Sequence, residues 1–255
     1  MIRKPVIISS ATVYAKKRLK RLSLLSATWG ILLDSSIPFF LSVNSIAMEG
    51  IIVRRVIPSD NSCLFNAVGY VMEHNKSKSQ ELRQVIAATV LSDPVKYNEA
   101  FLGKPNEEYC DWILNPEKWG GAIELSILSE YYRREIAAYD IQTSRCDLYG
   151  QEKKYDERVM LIYDGLHYDA LAMSPFEGAP EEFDQTIFPV DHNRSIGPAE
   201  GLALNLVRDA QRKRSYTDTA NFTLRCGVCQ MGVIGQKEAV EHAQATGHVN
   251  FQEYR

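Results

Sequence analysis

The chain has 255 residues, of which 45% are hydrophobic, and its formal net charge is -3 at pH 7. This composition supplies enough core for one domain of ordinary size with a small additional module, and it argues against wholesale disorder. The charge is uneven, because residues 1–47 hold seven Lys or Arg and one acid, Asp34, which leaves residues 48–255 near -9. An acidic body argues against a nucleic-acid-binding protein, which presents a basic face.

The cysteines are few and odd in number: Cys63, Cys110, Cys146, Cys226 and Cys229. Such a set does not form a disulfide framework. It fits a reducing compartment, where thiols serve catalysis or bind metal. We therefore expect a cytoplasmic protein and leave the nucleus open as a second location.

Residues 1–47 differ in character from the rest of the chain. A basic cluster at residues 16–21 precedes a Ser-rich apolar stretch that Asp34 interrupts. The uncharged runs on either side are shorter than the ~18–20 residues that a membrane helix needs, so we expect no membrane span. Three interpretations stay open: an organelle-targeting peptide, a secretory signal cleaved after Ala47, or a disordered extension before a domain that opens at Met48. We prefer the third, because the downstream domain has cytosolic character.

The first half of the main domain is predicted to be largely helical. A strand at residues 51–57 ends at Pro58, and Asp60, Asn61 and Ser62 form an N-cap cluster for a helix from Cys63 to about residue 74. A capping-box pattern at residues 77–80 opens the next helix. Further helices are predicted at residues 93–102 and 106–114 and from residue 123, and strands follow at residues 135–141, 159–163 and 168–173. This mixture indicates an α/β or α+β domain with a small sheet.

The second half of the chain divides into three parts. Residues 174–197 contain several Pro, Gly and acidic residues and are predicted to be irregular. A helix is predicted from Pro198 to about residue 214, and residues 222–251 form a separate module. The predicted organisation is a disordered extension (1–47), a main domain (48–175), an acidic segment with a linker helix (176–221) and the module (222–251).

The first chemically capable constellation joins Cys63 to the distant His167. A cysteine in the first turn of a helix is near the positive end of the helix dipole, which favours the thiolate. Free backbone N–H groups of that turn can bind a developing oxyanion. A histidine beside the sulfur takes its proton and later protonates the leaving group. On a strand, His167 and Asp169 point to the same face roughly 6.5 Å apart, so Asp169 is the natural orienting partner.

Spacing alone leaves other interpretations of these residues open. A carboxylate at Asp60 would oppose ionisation of a nearby thiol, so Asp60 is expected to shape the loop and the oxyanion site. A buried cysteine at a helix start is usually a small hydrophobic residue. A histidine at a strand edge is likewise more often structural than catalytic.

Three stretches resemble the motifs of the ovarian tumour (OTU) family of cysteine deubiquitinases, in the same order. Residues 58–67 (PSDNSCLFNA) are similar to the family's cysteine loop. Trp119-Gly120-Gly121 and residues 163–171 (YDGLHYDAL) resemble its later motifs. The likeness covers about residues 50–175, and it best fits the subgroup that carries a C-terminal two-Cys/two-His zinc finger.

The resemblance implies a fold, a reaction and a set of partners. The fold would be an α/β (α+β) papain-like OTU domain with a small central sheet flanked by helices. The reaction would be thiol-dependent hydrolysis of isopeptide, ester or thioester bonds at the C-terminal glycine of ubiquitin, without a catalytic cofactor. Such an enzyme is a ubiquitinyl hydrolase with omega-peptidase activity, and it would act on ubiquitin and polyubiquitin chains in protein quality control.

The resemblance also implies residue roles. Cys63 would be the nucleophile and His167 the base, Asp60 a further active-site residue, and Asp169 the histidine partner. The channel for the diglycine tail of ubiquitin would be lined by Leu166, Trp119, Gly120 and Gly121.

Two features of the chain depart from the family pattern. Most members have glycine in the cysteine loop where this chain has Asn61 or Ser62. Members of the subgroup typically dock on a hexameric AAA segregase through an N-terminal ubiquitin-like module. Residues 1–47 are too short for that module and lack its pattern, so this docking is left open.

The second constellation is Cys226-x-x-Cys229, twelve residues, His242, five residues, and His248. Zinc prefers four tetrahedral N and S ligands, and this spacing suits a ββα finger. We predict the hairpin at residues 222–229 and the helix at residues 236–246. A module of about 30 residues buries too little core without a metal, so a structural zinc ion is expected. The alternative is two free cysteines and two surface histidines.

Other classes of function stay open beside the deubiquitinase. A catalytically inactive ubiquitin-binding adaptor would keep the fold without turnover. A zinc-finger nucleic-acid-binding protein is disfavoured, because the finger is single and its helix carries Glu238 and Glu241. We expect no nucleic-acid partner and no membrane partner.

Overall fold

A mixed sheet of six strands organises the larger part of the molecule. Its strands are β1 (Ile51–Arg55), β2 (Glu135–Asp140), β3 (Cys146–Tyr149), β4 (Glu157–Tyr163), β5 (Tyr168–Ser174) and β6 (Phe188–Pro189). Their order across the sheet is β1-β5-β4-β2-β3, and β6 pairs with β4. Strands β2 and β4 run parallel, whereas the other pairs are antiparallel.

The computed structural model describes residues 50–218, 222–248 and 250–253. These residues belong to one compact unit that spans Met48–Arg255. The predictions for residues 1–47 lie outside the described residues. Within the described ranges, no helix combines the length and the apolar character needed to cross a bilayer.

Six helices accompany the sheet. They are α1 (Cys63–Glu73), α2 (Ser79–Ser92), α3 (Glu99–Leu102), α4 (Asn106–Leu114), α5 (Ala122–Tyr132) and α6 (Pro198–Arg212). The α+β class expected from the sequence is thereby confirmed.

The two faces of the sheet contribute to two separate hydrophobic cores. Successive strand residues point to opposite faces, so alternate residues of one strand enter different cores. Ala170 of β5 is buried with α1, α2, α4 and α5, whereas its neighbour Leu171 is buried with Ala203 and Val207 of α6. Helix α1 therefore packs on one face, directly over the strand that follows His167.

The segment predicted as an acidic linker is packed on the sheet. Phe188 is the antiparallel strand partner of Arg158 in β4. Both Phe188 and Ile196 are buried in the core beneath α6. Residues 188–216 therefore contribute to the core on the second face of the sheet, whereas Asp184 and Ile187 contact the α1 side. The sequence pattern did not show this, because only isolated apolar residues interrupt the acidic stretch.

Several local predictions were wrong at element boundaries. The predicted helix at residues 93–102 is reduced to α3, because the Asn98 side chain caps a new turn by accepting the Phe101 N–H. The capping box at residues 77–80 is absent, since the N-cap of α2 is Lys78, which makes no side-chain cap bond. Strands β3 and β6 are short and were missed.

The C-terminal module has a three-stranded sheet and one helix. Strands β7 (Thr223–Cys226), β8 (Gly232–Ile234) and β9 (Phe251–Glu253) lie in the order β8-β7-β9, and α7 (Gly235–Thr246) follows the hairpin. The hairpin predicted at residues 222–229 extends further than expected, because Cys226 ends β7, Cys229 lies in the turn and β8 continues to Ile234. Strand β9 was not predicted.

Candidate active site

Cys63 is the first residue of α1 and its side chain is half-buried. Burial raises the pKa of the Cys63 thiol. The backbone N–H groups of Tyr168 and Leu64 oppose this rise by pointing to the sulfur, while the charges of Asp60 and Asp169 add to it. The helix start does favour the thiolate, as the sequence suggested, but burial outweighs it and the net direction is upward.

Asp60 shapes the loop that precedes the cysteine. Its Oδ1 accepts the Ser62 N–H at 2.8 Å, and its Oδ2 accepts from the Asn66 side chain at 3.4 Å. The expected N-cap bond is absent, since Ser62 occupies the N-cap position without a side-chain cap bond. Asp60 therefore holds the turn into α1, and its charge disfavours the thiolate.

The turn between β4 and β5 carries His167. The Asp164 carboxylate accepts the backbone N–H groups of Leu166 at 3.1 Å and His167 at 2.8 Å through one oxygen, Oδ1. Gly165 has φ +100, a left-handed conformation that L side chains rarely adopt. Asp164 and Gly165 thus fix the backbone from which the imidazole projects.

Asp169 lies beside the imidazole and is itself firmly held. Its Oδ1 is 3.1 Å from His167 Nε2, and the same oxygen accepts the Ile57 N–H at 2.6 Å. Arg54 Nε donates to Asp169 Oδ2 at 2.6 Å, and Arg54 Nη2 donates to Asp164 Oδ2 at 3.4 Å. Since Asp169 is 1% exposed, its charge is stabilised by these donors rather than by water.

The structure brings His167 and Asp169 together and places Cys63 beside them. The sulfur faces the backbone N–H of Tyr168, the residue that follows the histidine. Because Nε2 is engaged by Asp169, Nδ1 is the ring nitrogen that remains for the sulfur. Among the described residues, the His167 ring is hydrogen-bonded to Asp169. It makes no hydrogen bond to the Cys63 sulfur.

A pocket of about 150 Å³ opens at the cysteine. Its walls include the sulfur and all four residues predicted for the ubiquitin tail; the full lining is Asn61, Cys63, Leu64, Trp119, Gly120, Gly121, Tyr163, Leu166 and Tyr168. The Tyr163 and Tyr168 rings stack with centroids 4.5 Å apart. These two tyrosines and Asn61 were missed, because only their proximity in the fold identifies them.

The glycines of the pocket wall allow close packing. A Cβ added at Gly120 would lie 2.8 Å from Phe65 Cζ, so only glycine lets this backbone approach α1. The Gly121 N–H donates to the buried Glu124 carboxylate at 2.6 Å. Trp119 is 54% exposed, and its indole N–H donates to Asn61 Oδ1 at 2.6 Å.

Arg83 of α2 connects the two loops that border the pocket. It is 2% exposed, and its guanidinium lies 4.1 Å from the centre of the Phe65 ring. Its acceptors lie in the cysteine loop and in the 113–118 stretch: Asn61 O, Ser62 Oγ, Ile113 O, Pro116 O and Lys118 O. No sequence pattern identified this residue.

The structure also gathers the predicted metal ligands. Ligand atoms of Cys226, Cys229, His242 and His248 all lie within 4.8 Å of one another. Cys226 is fully buried, and His248 Nδ1 is buried without a hydrogen-bond partner among the described residues. A four-coordinate N and S donor set with a buried, unpaired nitrogen fits a tetrahedral zinc ion.

Comparison with family models identifies two regions. Residues 58–170 match the model described as OTU-like cysteine protease. Residues 220–254 match the model described as Ubiquitin thioesterase OTU1, C-terminal C2H2-type zinc finger.

Similar proteins carry related names. An Arabidopsis thaliana protein named OVARIAN TUMOR DOMAIN-containing deubiquitinating enzyme 2 is 83% identical over 208 residues, covering 82% of this chain and 100% of its own length. Human Ubiquitin thioesterase OTU1 is 50% identical over 206 residues, covering 80% of this chain and 58% of its own length. The chain therefore spans little more than half of the human relative.

A solved structure extends the likeness to the fold. The structure titled Structure of Ovarian Tumor (OTU) domain in complex with Ubiquitin aligns with a TM-score of 0.58 at 32% identity. It covers 66% of this chain and 92% of the solved chain.

Proposed function

The chain belongs to the OTU family of cysteine proteases, and from that premise we propose that it is a deubiquitinating enzyme with Cys63 as nucleophile and His167 as general base. The observation that carries the assignment is the anchored His167–Asp169 pair, which flanks Tyr168, the residue whose backbone N–H faces the Cys63 sulfur. The histidine has one nitrogen held by a buried carboxylate and the other available for the sulfur. This is the arrangement that activates a thiol nucleophile.

The reaction is acyl transfer from the C-terminal glycine of ubiquitin. The Cys63 sulfur forms a bond to the glycine carbonyl carbon as its proton passes to His167. The developing oxyanion is stabilised by free N–H groups at the start of α1. His167 then protonates the leaving amine or alcohol as the C–N or C–O bond breaks, and a thioester remains.

Water completes the cycle. His167 removes a proton from water, which attacks the thioester carbonyl, and the sulfur leaves with the proton returned by the histidine. Hydrogen bonds between catalytic groups are often long before substrate binds. We therefore expect the Cys63–His167 contact to close around the bound tail.

The lining of the pocket supports a diglycine tail as the part of the substrate that enters it. The backbone of Gly120 and Gly121 lines the pocket beside Cys63, together with the exposed side chains of Leu166 and Trp119. A substrate residue with a side chain would meet these walls, whereas glycine passes. We expect ubiquitin and polyubiquitin chains as substrates; the segregase partner and the cytoplasmic location stay predictions.

The C-terminal module is proposed to hold one structural zinc ion. Cys226, Cys229, His242 and His248 would bind the ion, which supplies folding energy to the module and no catalytic chemistry. The catalytic residues belong to the other module and use no metal in the proposed reaction.

A cleavage assay on diubiquitins of defined linkage tests the proposal. Wild-type protein is expected to release ubiquitin from at least one linkage, and Cys63→Ala is expected to abolish release while it retains ubiquitin binding. A matched control is Cys110→Ala, at a buried thiol away from the pocket. Binding without cleavage by the folded wild type would instead support the inactive ubiquitin-binding adaptor.

A further inference from the structure

The chain between α6 and the C-terminal module contacts the turn that carries His167. The Thr217 N–H donates to the Asp164 carbonyl at 2.7 Å. Gly165 lies against the same residue, because a Cβ at Gly165 would be 2.4 Å from the Thr217 oxygen. Both contacts come from outside residues 58–170, which match the protease family model.

Asp164 is the residue through which this contact reaches the catalytic histidine. Its side chain accepts the N–H groups of Leu166 and His167, and its own N–H donates to the His167 carbonyl at 3.1 Å. Thr217 supplies the donor for the Asp164 carbonyl. A shift of Asp164 would therefore displace the histidine backbone and the pocket wall at Leu166 together.

The contacting segment is anchored on its own side as well. Gln142 Nε2 donates to Asp218 Oδ1 at 3.2 Å, and Gln211 Nε2 donates to the Gln142 carbonyl at 2.5 Å. Tyr216 packs against the core beneath α6. Since the Ile141 N–H donates to the Tyr163 carbonyl at 2.9 Å, this anchor lies beside the end of β4.

We propose that residues 215–218, here called the brace, are a positioning element of the active site. The brace fixes the Asp164–His167 turn through the Thr217 N–H and joins the C-terminal module to the catalytic histidine. The proposal rests on the proposed function of His167. It assigns a role to the backbone of Thr217 and none to its side chain.

The test compares Thr217→Pro, which removes the N–H, with Thr217→Ala, which keeps it. In full-length protein, Thr217→Pro is expected to lower kcat/KM for a fluorogenic ubiquitin C-terminal amide by about tenfold, the usual range for one lost hydrogen bond. Both kcat and KM are expected to change, because His167 and Leu166 move together. Thr217→Ala is expected to stay within about twofold of wild type.

Hydrogen exchange provides a readout that does not depend on activity. The amides of Leu166 and His167 are protected by the Asp164 carboxylate, so their exchange is expected to quicken about tenfold in Thr217→Pro and to be unchanged in Thr217→Ala. Unchanged exchange and kinetics in folded Thr217→Pro would overturn the brace. A wild type without ubiquitin hydrolysis would overturn the proposed function, while the exchange result would still decide the brace.

A second variant decides the matter if Thr217→Pro does not fold. Gln142→Ala removes the donor that holds Asp218 Oδ1 and leaves the Gln142 carbonyl in place. In Gln142→Ala the amides of residues 166–167 are expected to exchange faster than in wild type, by a smaller factor than in Thr217→Pro. Exchange at wild-type rates in Gln142→Ala would contradict the proposal in that case.

Discussion

At the scale of single residues, the acidity of Cys63 is set by opposing effects. Burial and the charges of Asp60 and Asp169 raise the pKa of the thiol, whereas the N–H groups of Leu64 at the helix start and of Tyr168 lower it. In the free protein these effects together favour the thiol over the thiolate. Proton transfer to His167 then accompanies substrate binding and attack.

Asp60→Asn tests this balance. Loss of the negative charge is expected to lower the pKa of Cys63, because a neutral neighbour no longer disfavours the thiolate. The rate of Cys63 alkylation by iodoacetamide, followed against pH, is expected to rise at lower pH than in wild type. The amide retains an oxygen for the Ser62 N–H and loses only the longer bond from the Asn66 side chain, so the turn into α1 is expected to persist.

A shift of the alkylation profile of Asp60→Asn to higher pH would contradict the claim that the Asp60 charge raises the pKa of Cys63. Glu117→Gln is the matched control, since Glu117 accepts from the Asn61 side chain and is not among the groups that shift Cys63. Its profile is expected to coincide with that of wild type.

Asp169→Asn tests the orienting role. The amide keeps the shape but loses the charge that holds the imidazolium and pairs with Arg54. The loss of one buried charge-assisted bond costs about 1.5–3 kcal/mol, so kcat is expected to fall by about ten- to hundredfold. Steady-state kinetics with ubiquitin-rhodamine measures this, and an unchanged kcat would assign the orienting role to another group.

The sequence predicted Cys63, His167 and Asp169 as site residues, because strand geometry and motif order point to them. It gave no indication of Arg54, which donates to both Asp169 and Asp164. An arginine in an edge strand is ordinary in sequence. Its role depends on the pairing of Arg54 with Leu171 across β1 and β5, a long-range contact that no local pattern encodes.

At the scale of elements, α2 positions the pocket through one buried arginine. Arg83 carries no carboxylate partner in the described residues and donates instead to carbonyls and a hydroxyl of two loops. Burial lowers the pKa of Arg83, but an arginine still stays charged. The charge is therefore spread over loop acceptors that would otherwise be buried without donors.

Arg83→Met tests this element. Several buried acceptors lose their donor at once, so the free energy of unfolding is expected to fall by about 3 kcal/mol or more. KM for ubiquitin substrates is expected to rise, because the cysteine loop and the Trp119 loop are no longer joined. Urea unfolding and steady-state kinetics measure the two effects.

Gln84→Met, at the exposed neighbouring position of α2, is the control and is expected to be nearly neutral. If Arg83→Met and Gln84→Met lowered the free energy of unfolding equally, the loss would come from methionine in α2 and not from the missing guanidinium. A folded Arg83→Met with wild-type KM would remove the positioning role.

Element boundaries were predicted where local chemistry decides them and missed where packing does. The helix at Cys63 and strands β4 and β5 follow from hydrophobic pattern and turn residues. Strand β6 has two residues and forms only because Phe188 reaches β4. The helix predicted at residues 93–102 was wrong because the Asn98 cap starts a new turn within it.

At the scale of the whole molecule, the two modules have different sources of stability. The OTU domain buries two hydrophobic cores around its sheet, whereas the small C-terminal module gathers four N and S donors. We expect a module of that size to depend on a bound zinc ion for folding. Within the predicted linker at residues 176–221, the stretch from Phe188 to Tyr216 packs in the larger module, which only the tertiary structure reveals.

Zinc removal tests this division. Full-length protein is expected to contain one zinc ion per chain by elemental analysis, and Cys226→Ser is expected to lose it. Hydrogen exchange should then increase throughout residues 222–248, while β4 and β5 keep their protection. Cys146→Ser, outside the cluster, is expected to retain the metal, and a stable metal-free finger in Cys226→Ser would contradict the proposal.

The most direct measurement is covalent capture by ubiquitin that bears an electrophile in place of its C-terminal glycine carboxylate. Mass spectrometry of the adduct is expected to place ubiquitin on Cys63, with labelling abolished in Cys63→Ser and greatly slowed in His167→Ala. Capture on another cysteine, or no capture by folded wild-type protein, would contradict the central claim.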